Sequence, residues 1–504
     1  MEADPESQLT AWRRRIGAPL SVALALAGGA WLRLWMLKAF PQVGGDTLVY
    51  GNLAKNLLLH GRFALTDGSG VLHQTLIRLP GYPLFVALCF RLFGVDNYNA
   101  VAYAQIGLEL AGCLLLAGFA RRIASPALGR GAALCTLWLA ALCPFTAVYA
   151  VAPLTETPTL FVIALALWAL ARFDARPGWG SALAFTFAVS FAALLRPDGA
   201  LVGVALAPAL VMGMRRSAVP TGKLARMGVV CVLLALVPFA AWTARNWRVF
   251  HVFEPLAPRY ATDPGEDIHP GWQRWVKTWC LDFVSTYDIY WNVPGEPFDL
   301  GKLPGRAFDT PAEYAETAAL AAEYNDNGQD FTPDMDGRFA RLAEARVEAH
   351  PLRYYVWLPL GRVADMWLRP RVENLPIDLD WWVYEHHNEE TRFSWAYAGL
   401  NAAYLLLGLA GLCFGPRFST PGTKTRPWGP RFSTPGTKTR PWGPRFWVWM
   451  VAYMAMRSAL LMTVEAPEAR YTLECFPMLF ALGGIGICGM ARKVTGAREQ
   501  GNRE

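Results

Sequence analysis

Asp46, Glu156, Arg196, Asp198, Arg245, Asn246, Glu465, Glu468, Arg470 and Tyr471 all stand beside long apolar runs of a 504-residue chain. A carboxylate within reach of a hydroxyl can take its proton, and preorganised guanidinium groups in a water-poor site stabilise developing negative charge. Asp46 follows Gly44 and Gly45 and opens an amphipathic stretch, with Val49, Leu53 and Leu57 along one row, Tyr50, Ala54 and Leu58 along the next, and Gly61 at its stop. It could equally serve as an N-cap, because Asp accepts from the free N–H groups of a first turn. Glu156 lies among apolar neighbours in Pro153-Leu154-Thr155-Glu156-Thr157-Pro158, where a carboxylate costs a few kcal/mol, of order 2 to 4, unless paired, hydrated or metal-bound. Arg196, Pro197 and Asp198 make a tight turn and could be a local salt bridge; Arg245 could snorkel to the interface. Arg33 and Arg457, inside apolar runs, read as structural ion-pair partners.

What must position these groups is a membrane protein. Apolar and aromatic residues make up 54% of the chain and charged residues only 17%, against roughly 25% charged in soluble domains. The apolar residues gather in blocks of about 17 to 25, the length that crosses a hydrocarbon core. This excludes a soluble multidomain enzyme, a disordered chain, a disulfide scaffold and a typical nucleic-acid binder, since the net charge of +7 collects in short loops. The expected architecture is an all-α polytopic membrane protein of about ten spans, near 17–39, 99–120, 131–150, 157–173, 179–195, 198–214, 227–245, 393–414, 446–464 and 472–491. Lys and Arg mark cytoplasmic loops. Arg13, Arg14 and Arg15, then Arg121, Arg122 and Arg130, then Arg172 and Arg176, then Arg215, Arg216, Lys223 and Arg226 place both termini in the cytoplasm. The carboxylates and arginines then converge on the outer face.

The chain divides into a transmembrane module at 1–246, an extracytoplasmic domain at 247–392 and C-terminal spans at 393–504. Residues 80–94 are too short to cross and contain Arg91, so they read as a re-entrant or interfacial segment. The outer domain holds 25 of the 40 acidic residues against 14 basic ones, and is expected to be of mixed structure, with helices at 312–324 and 339–368. Tyr354, Tyr355, Trp357 and Trp367 suit the headgroup layer. A tandem copy, GPRFSTPGTKTRPW at 415–428 and again at 429–442, forms a basic loop at 415–445 on the cytoplasmic side. Seven of the nine cysteines fall in proposed spans, so no disulfide framework or structural zinc pattern emerges. His386 and His387 read as a hydrated interfacial pair, with metal binding as the alternative.

These residues carry a family resemblance. Gly45-Asp46, Tyr50, Ala54, Leu57 and Gly61, then Arg78-Leu79-Pro80-Gly81-Tyr82-Pro83-Leu84-Phe85, resemble the first outer loop of the GT-C glycosyltransferases. The nearest branch is the bacterial one related to dolichyl-phosphate-mannose protein mannosyltransferases and the aminoarabinose lipid A transferase. Thr155-Glu156, Leu195-Arg196-Pro197-Asp198-Gly199, Ala244-Arg245-Asn246 and Ala469-Arg470-Tyr471, leading into Pro477, follow in order. The resemblance covers the first 250 residues or so and the last 40 or so. It implies a GT-C-like fold in a bacterial inner membrane, with the site facing the periplasm or exterior.

The implied activity is transfer of a sugar from a polyprenyl-phosphate donor to a lipid, glycan or protein acceptor, with inversion at the sugar carbon and no nucleic-acid partner. Asp46 would be the base. Arg470, and after it Arg245, would face the leaving phosphate, and Glu156 would orient acceptor or sugar or share a divalent ion with Asp46. Tyr50, Arg78, Tyr82, Arg196, Asn246 and Tyr471 would bind substrate or support the site, with packing favoured for Tyr82. Many relatives have Asp-Glu in the first loop, whereas Asp46 is followed here by Thr47, which weakens a paired-acid metal site. The alternatives are a secondary transporter or flippase, which would place polar groups near the midplane of repeat-related spans, and a non-catalytic export scaffold.

Overall fold

All ten apolar stretches are helical in the computed structural model, which describes residues 5–41, 43–217, 219–382, 388–414 and 446–501. Among these residues seven helices are long and apolar enough to span: Gly17–Ala39, Tyr98–Ile123, Glu156–Ala175, Pro197–Arg216, Thr221–Phe250, Asn388–Cys413 and Ala469–Val494. Gly129–Ala141 and Pro144–Val151, bent by 52° at their junction, make an eighth if taken as one broken span. The bend falls where Pro144 offers no N–H to the preceding turn. Against the ten spans expected, seven, or eight with the bent pair, meet that test by length and composition. Trp179–Leu195 and Phe446–Leu461, also apolar, have 17 and 16 residues, about 25 Å at a rise of 1.5 Å per residue, at the lower edge of the spanning range. The protein is an all-α polytopic membrane protein whose only strands, among the described residues, form one small hairpin.

The helix Glu156–Ala175 is buried along most of its length and packs on Tyr98–Ile123, Trp179–Leu195 and Ala200–Arg216. Phe476–Gly501 packs on Asn388–Phe414 and Gly129–Ala141. Small residues set that approach, as in other membrane helix pairs. A Cβ on Gly411 would lie 2.0 Å from the Leu482 carbonyl oxygen, whereas one on Gly399 of the same helix meets nothing within 4 Å. Gly411→Ala is therefore expected to cost about 1 to 3 kcal/mol through overpacking and to lower the melting midpoint in detergent. Gly399→Ala is expected to leave that midpoint unchanged or slightly raised, and equal midpoints for the two would contradict the packing argument.

The first loop is built to aim Asp46. The helix Asp46–His60 ends on Gly61, whose φ of 64° allows the left-handed cap that a Cβ would strain. Then comes the hairpin Ala64–Thr66 with Leu72–Gln74, closed by Asp67, which accepts from the Ser69 and Val71 amides at 2.9 Å each. Gly81–Phe93 follows as a 13-residue helix, with Tyr82, Val86 and Phe90 facing inward and Leu84, Leu88 and Leu92 exposed.

Region 247–392 departs from the expected mixed structure. Its described residues contain no strand; Pro270–Lys277, Pro311–Asp326 and Pro333–Ala349 surround an aromatic core of Trp272, Trp275, Phe298, Phe331 and Phe339, while Leu358–Leu368 packs on Ala469–Cys475. The helix expected at 312–324 is Pro311–Asp326, capped by the Thr310 side chain. The single helix expected at 339–368 is broken after Ala349, because Pro351 cannot continue the ladder. His386, His387 and the tandem copy at 415–445 lie outside the described residues.

Candidate functional site

A short 3-10 segment, Ala469–Cys475, leads into the last helix and sets Arg470 among three carboxylates, the neighbouring Glu468 and two from distant parts of the chain. Its Nε lies 2.5 Å from Glu468 Oε2, its Nη1 3.6 Å from Glu156 Oε1 and its Nη2 3.9 Å from Asp46 Oδ2. Glu156 opens its helix at N1, which places its carboxylate at the mouth of the bundle beside Arg470. Arg196 shares the same carboxylate, with Nη1 3.2 Å from Glu156 Oε1, while its Nε reaches Asp198 at 3.2 Å and Glu474 at 3.3 Å. The turn pair Arg196–Asp198 therefore exists, but inside a larger network. Arg457 completes it, 3.1 Å from Asp198 and 2.7 Å from Glu474, and Arg33 pairs with Glu109 at 2.6 Å elsewhere in the bundle.

Asp46 does not cap its helix. Gly45 occupies the cap position without a side-chain bond, and Asp46 is the first helical residue. Its Oδ1 accepts from Arg78 Nη2 at 2.8 Å. Its Oδ2 faces Arg470 beyond hydrogen-bond distance and so remains open to a proton donor. Side-chain exposure separates the two acids: Asp46 is 32% exposed and Glu156 only 3%. Asp46 is the one a substrate hydroxyl can reach. Glu156 Oε2 is buried without a hydrogen-bond partner, an acceptor left over inside the network.

Tyr50 meets Tyr82 edge to face, with ring centroids 4.8 Å apart. Burial, and next the Asp46 carboxylate, push the Tyr50 phenol up to about 12, so it stays a donor at neutral pH. Tyr82 is fully buried and donates to Gln105 Oε1 at 2.7 Å, as the packing reading expects. Tyr471 donates to Glu468, and its ring lies between Arg196 and Arg470, whose guanidinium carbons are 5.3 and 5.7 Å from the centroid.

Two of the expected residues point elsewhere. Arg245 donates to the Thr75 carbonyl at 2.7 Å and the Phe63 carbonyl at 2.8 Å, flanked by the rings of Phe63, Trp242 and Phe250. It ties the hairpin of the first loop to the helix Thr221–Phe250. Asn246 accepts from Arg245 and donates to the Glu254 carbonyl at 2.9 Å. Neither is ion-paired to the Arg470 cluster. Glu465 faces Lys277 and Arg259 instead of Arg470.

A divalent ion does not fit the pair Asp46 and Glu156. Both carboxylates already face the Arg470 guanidinium, and among the described residues no group of three or more His, Cys, Asp or Glu side chains could hold a metal. Sequence reasoning missed Glu474, hidden within an apolar run that was read only as a span. An ionisable residue at that depth was itself the signal. It also missed Arg371, whose buried guanidinium bonds Ala469 and Thr472 on either side of Arg470.

Residues 78–242 match the family model described as dolichyl-phosphate-mannose-protein mannosyltransferase. No curated protein matches. Among solved structures, the crystal structure of ArnT from Cupriavidus metallidurans in the apo state aligns at 14% identity over 97% of this chain and 79% of that one, with a TM-score of 0.37. The same protein bound to undecaprenyl phosphate aligns at 16% identity over 95% and 78%, with a TM-score of 0.39. Over that matched segment, which carries Arg78, Glu156 and Arg196, the chain is similar to the mannosyltransferase family.

Proposed function

We propose that the protein transfers a sugar from a polyprenyl-phosphate donor to a hydroxyl of a lipid, glycan or protein acceptor on the non-cytoplasmic face of the membrane, inverting the sugar carbon. One observation carries this reading: a single guanidinium, Arg470, faces Asp46 and Glu156 at the meeting of three distant segments. The acceptor hydroxyl gives its proton to Asp46 Oδ2 as its oxygen attacks the sugar carbon. The bond to the donor phosphate breaks on the opposite side, and Arg470 faces the departing oxygen. Arg78 holds Asp46 in place through Oδ1, and the buried Glu156 carboxylate orients Arg470 and Arg196. Tyr50 stays protonated beside Asp46.

The test is reconstitution into vesicles with a labelled polyprenyl-phosphate sugar, followed by extraction of lipid and acceptor fractions. Label moving from lipid phosphate to acceptor, with the opposite anomeric configuration in the product, supports the reading. Label that crosses the bilayer still attached to its lipid identifies a flippase instead. Because the acids are already matched by arginines, transfer is expected to continue at an unchanged rate in EDTA, and a loss restored by added divalent ion would contradict that assignment.

A further inference from the structure

Arg371 lies just beyond the helix Leu358–Leu368, and its side chain is buried. Every hydrogen-bond acceptor it meets is neutral: the Ala469 carbonyl at 2.8 Å, Thr472 Oγ1 at 2.5 Å, Asn401 Oδ1 at 3.2 Å and the Met366 carbonyl at 3.4 Å. Its guanidinium also covers the Phe476 ring at 4.8 Å. Burying a cation without a directly paired carboxylate is costly, so a planar fork spent on backbone and hydroxyl oxygens has to hold something in register. What it holds is the segment that carries Arg470. Ala469 and Thr472 bracket that residue, Thr472 Oγ1 also lies 3.2 Å from the Met366 carbonyl, and Asn401 donates to the Trp367 carbonyl at 2.7 Å. Residues 366–371, 401 and 469–476 are thereby tied into one knot, 469 to 476 carrying Arg470 and 366 to 371 belonging to region 247–392.

We infer that Arg371 is a positioning residue of the transfer reaction: it fixes the segment Ala469–Cys475 so that Arg470 faces the leaving phosphate, and it makes region 247–392 part of the catalytic apparatus. This rests on the proposed role of Arg470. Lys at this position supplies a point charge but no planar fork, so it cannot reach Ala469, Thr472 and Asn401 together. Displacement of about 1 Å can cost on the order of a hundredfold in rate.

The experiment compares Arg371→Lys, Thr472→Val and Arg470→Lys, each alone and with either of the first two combined with the third, in the reconstituted transfer assay. The expected result is a large fall in kcat for Arg371→Lys and a smaller one for Thr472→Val, at unchanged acceptor KM, with no further loss when either is added to Arg470→Lys. Losses that multiply in the Arg470→Lys background mark a merely structural role and overturn the inference. So does wild-type kcat in both Arg371→Lys and Thr472→Val while Arg470→Lys is impaired, a result that leaves the proposed function standing. Wild-type kcat in Arg470→Lys removes the proposed function and this inference with it. Thr472→Val deletes only a hydroxyl and supplies the same comparison where Arg371→Lys does not fold.

Discussion

Asp46→Asn is expected to reduce sugar transfer by about 10²- to 10⁴-fold, the usual range for loss of a positioned general base, with normal membrane insertion and yield. The substitution keeps an acceptor oxygen for Arg78 Nη2, so the bond that anchors the first loop survives. What it removes is the second carboxylate oxygen, which has no hydrogen bond from Arg470 and is free to take a proton. Asp46 is also partly exposed, so the loss of one charge at that site carries little folding cost. A measured kcat within a few-fold of wild type would show that the proton goes elsewhere.

Arg470→Lys is expected to lower kcat by about 10²- to 10³-fold, as when one preorganised charge or donor facing the reacting centre is lost. Lysine keeps the charge but not the fork that meets Glu468, Glu156 and Asp46 from three nitrogens. Arg470→Ala is a poorer test. It leaves buried Glu156 and Glu468 without this partner, and breaking a buried pair costs about 3 to 5 kcal/mol, so loss of activity would be mixed with loss of folded protein. Normal yield with low kcat in the Lys variant separates the two effects.

Asp46, Glu156 and Arg470 were legible because charge is conspicuous at the edge of an apolar run, where each ionisable group needs a partner. Which groups pair was not. Arg78 stands 32 residues from Asp46, and only the fold of the hairpin and the helix Gly81–Phe93 brings them to 2.8 Å. Arg245 stood at the expected end of an apolar run, yet carbonyls of the first loop and the rings of Phe63, Trp242 and Phe250 claim it, and no pattern local to Ala244-Arg245-Asn246 announces that. Glu474 and Arg371 escaped for opposite reasons. One was masked by the hydrophobicity around it, and the other sat in an acidic region where one more arginine carries no signal. The helices were legible almost throughout, since apolar length is a direct readout of burial. The span count was less so, because Trp179–Leu195 and Phe446–Leu461 are apolar but short, and Pro144 bends a third run. Region 247–392 has neither a clean helical nor a clean alternating period in its loops, and its aromatic core is assembled from segments far apart in sequence.

The central claim is that one cluster, Asp46 with Glu156 and Arg470, performs sugar transfer from a lipid phosphate. Mass analysis of cell-envelope glycans tests it most directly, in a deletion strain complemented with the wild-type chain, Asp46→Asn or Arg470→Lys at matched membrane levels. The predicted result is a glycan mass that disappears on deletion, returns with the wild-type chain and stays absent with either variant. An envelope unchanged by deletion, or restored equally by both variants, would contradict the account.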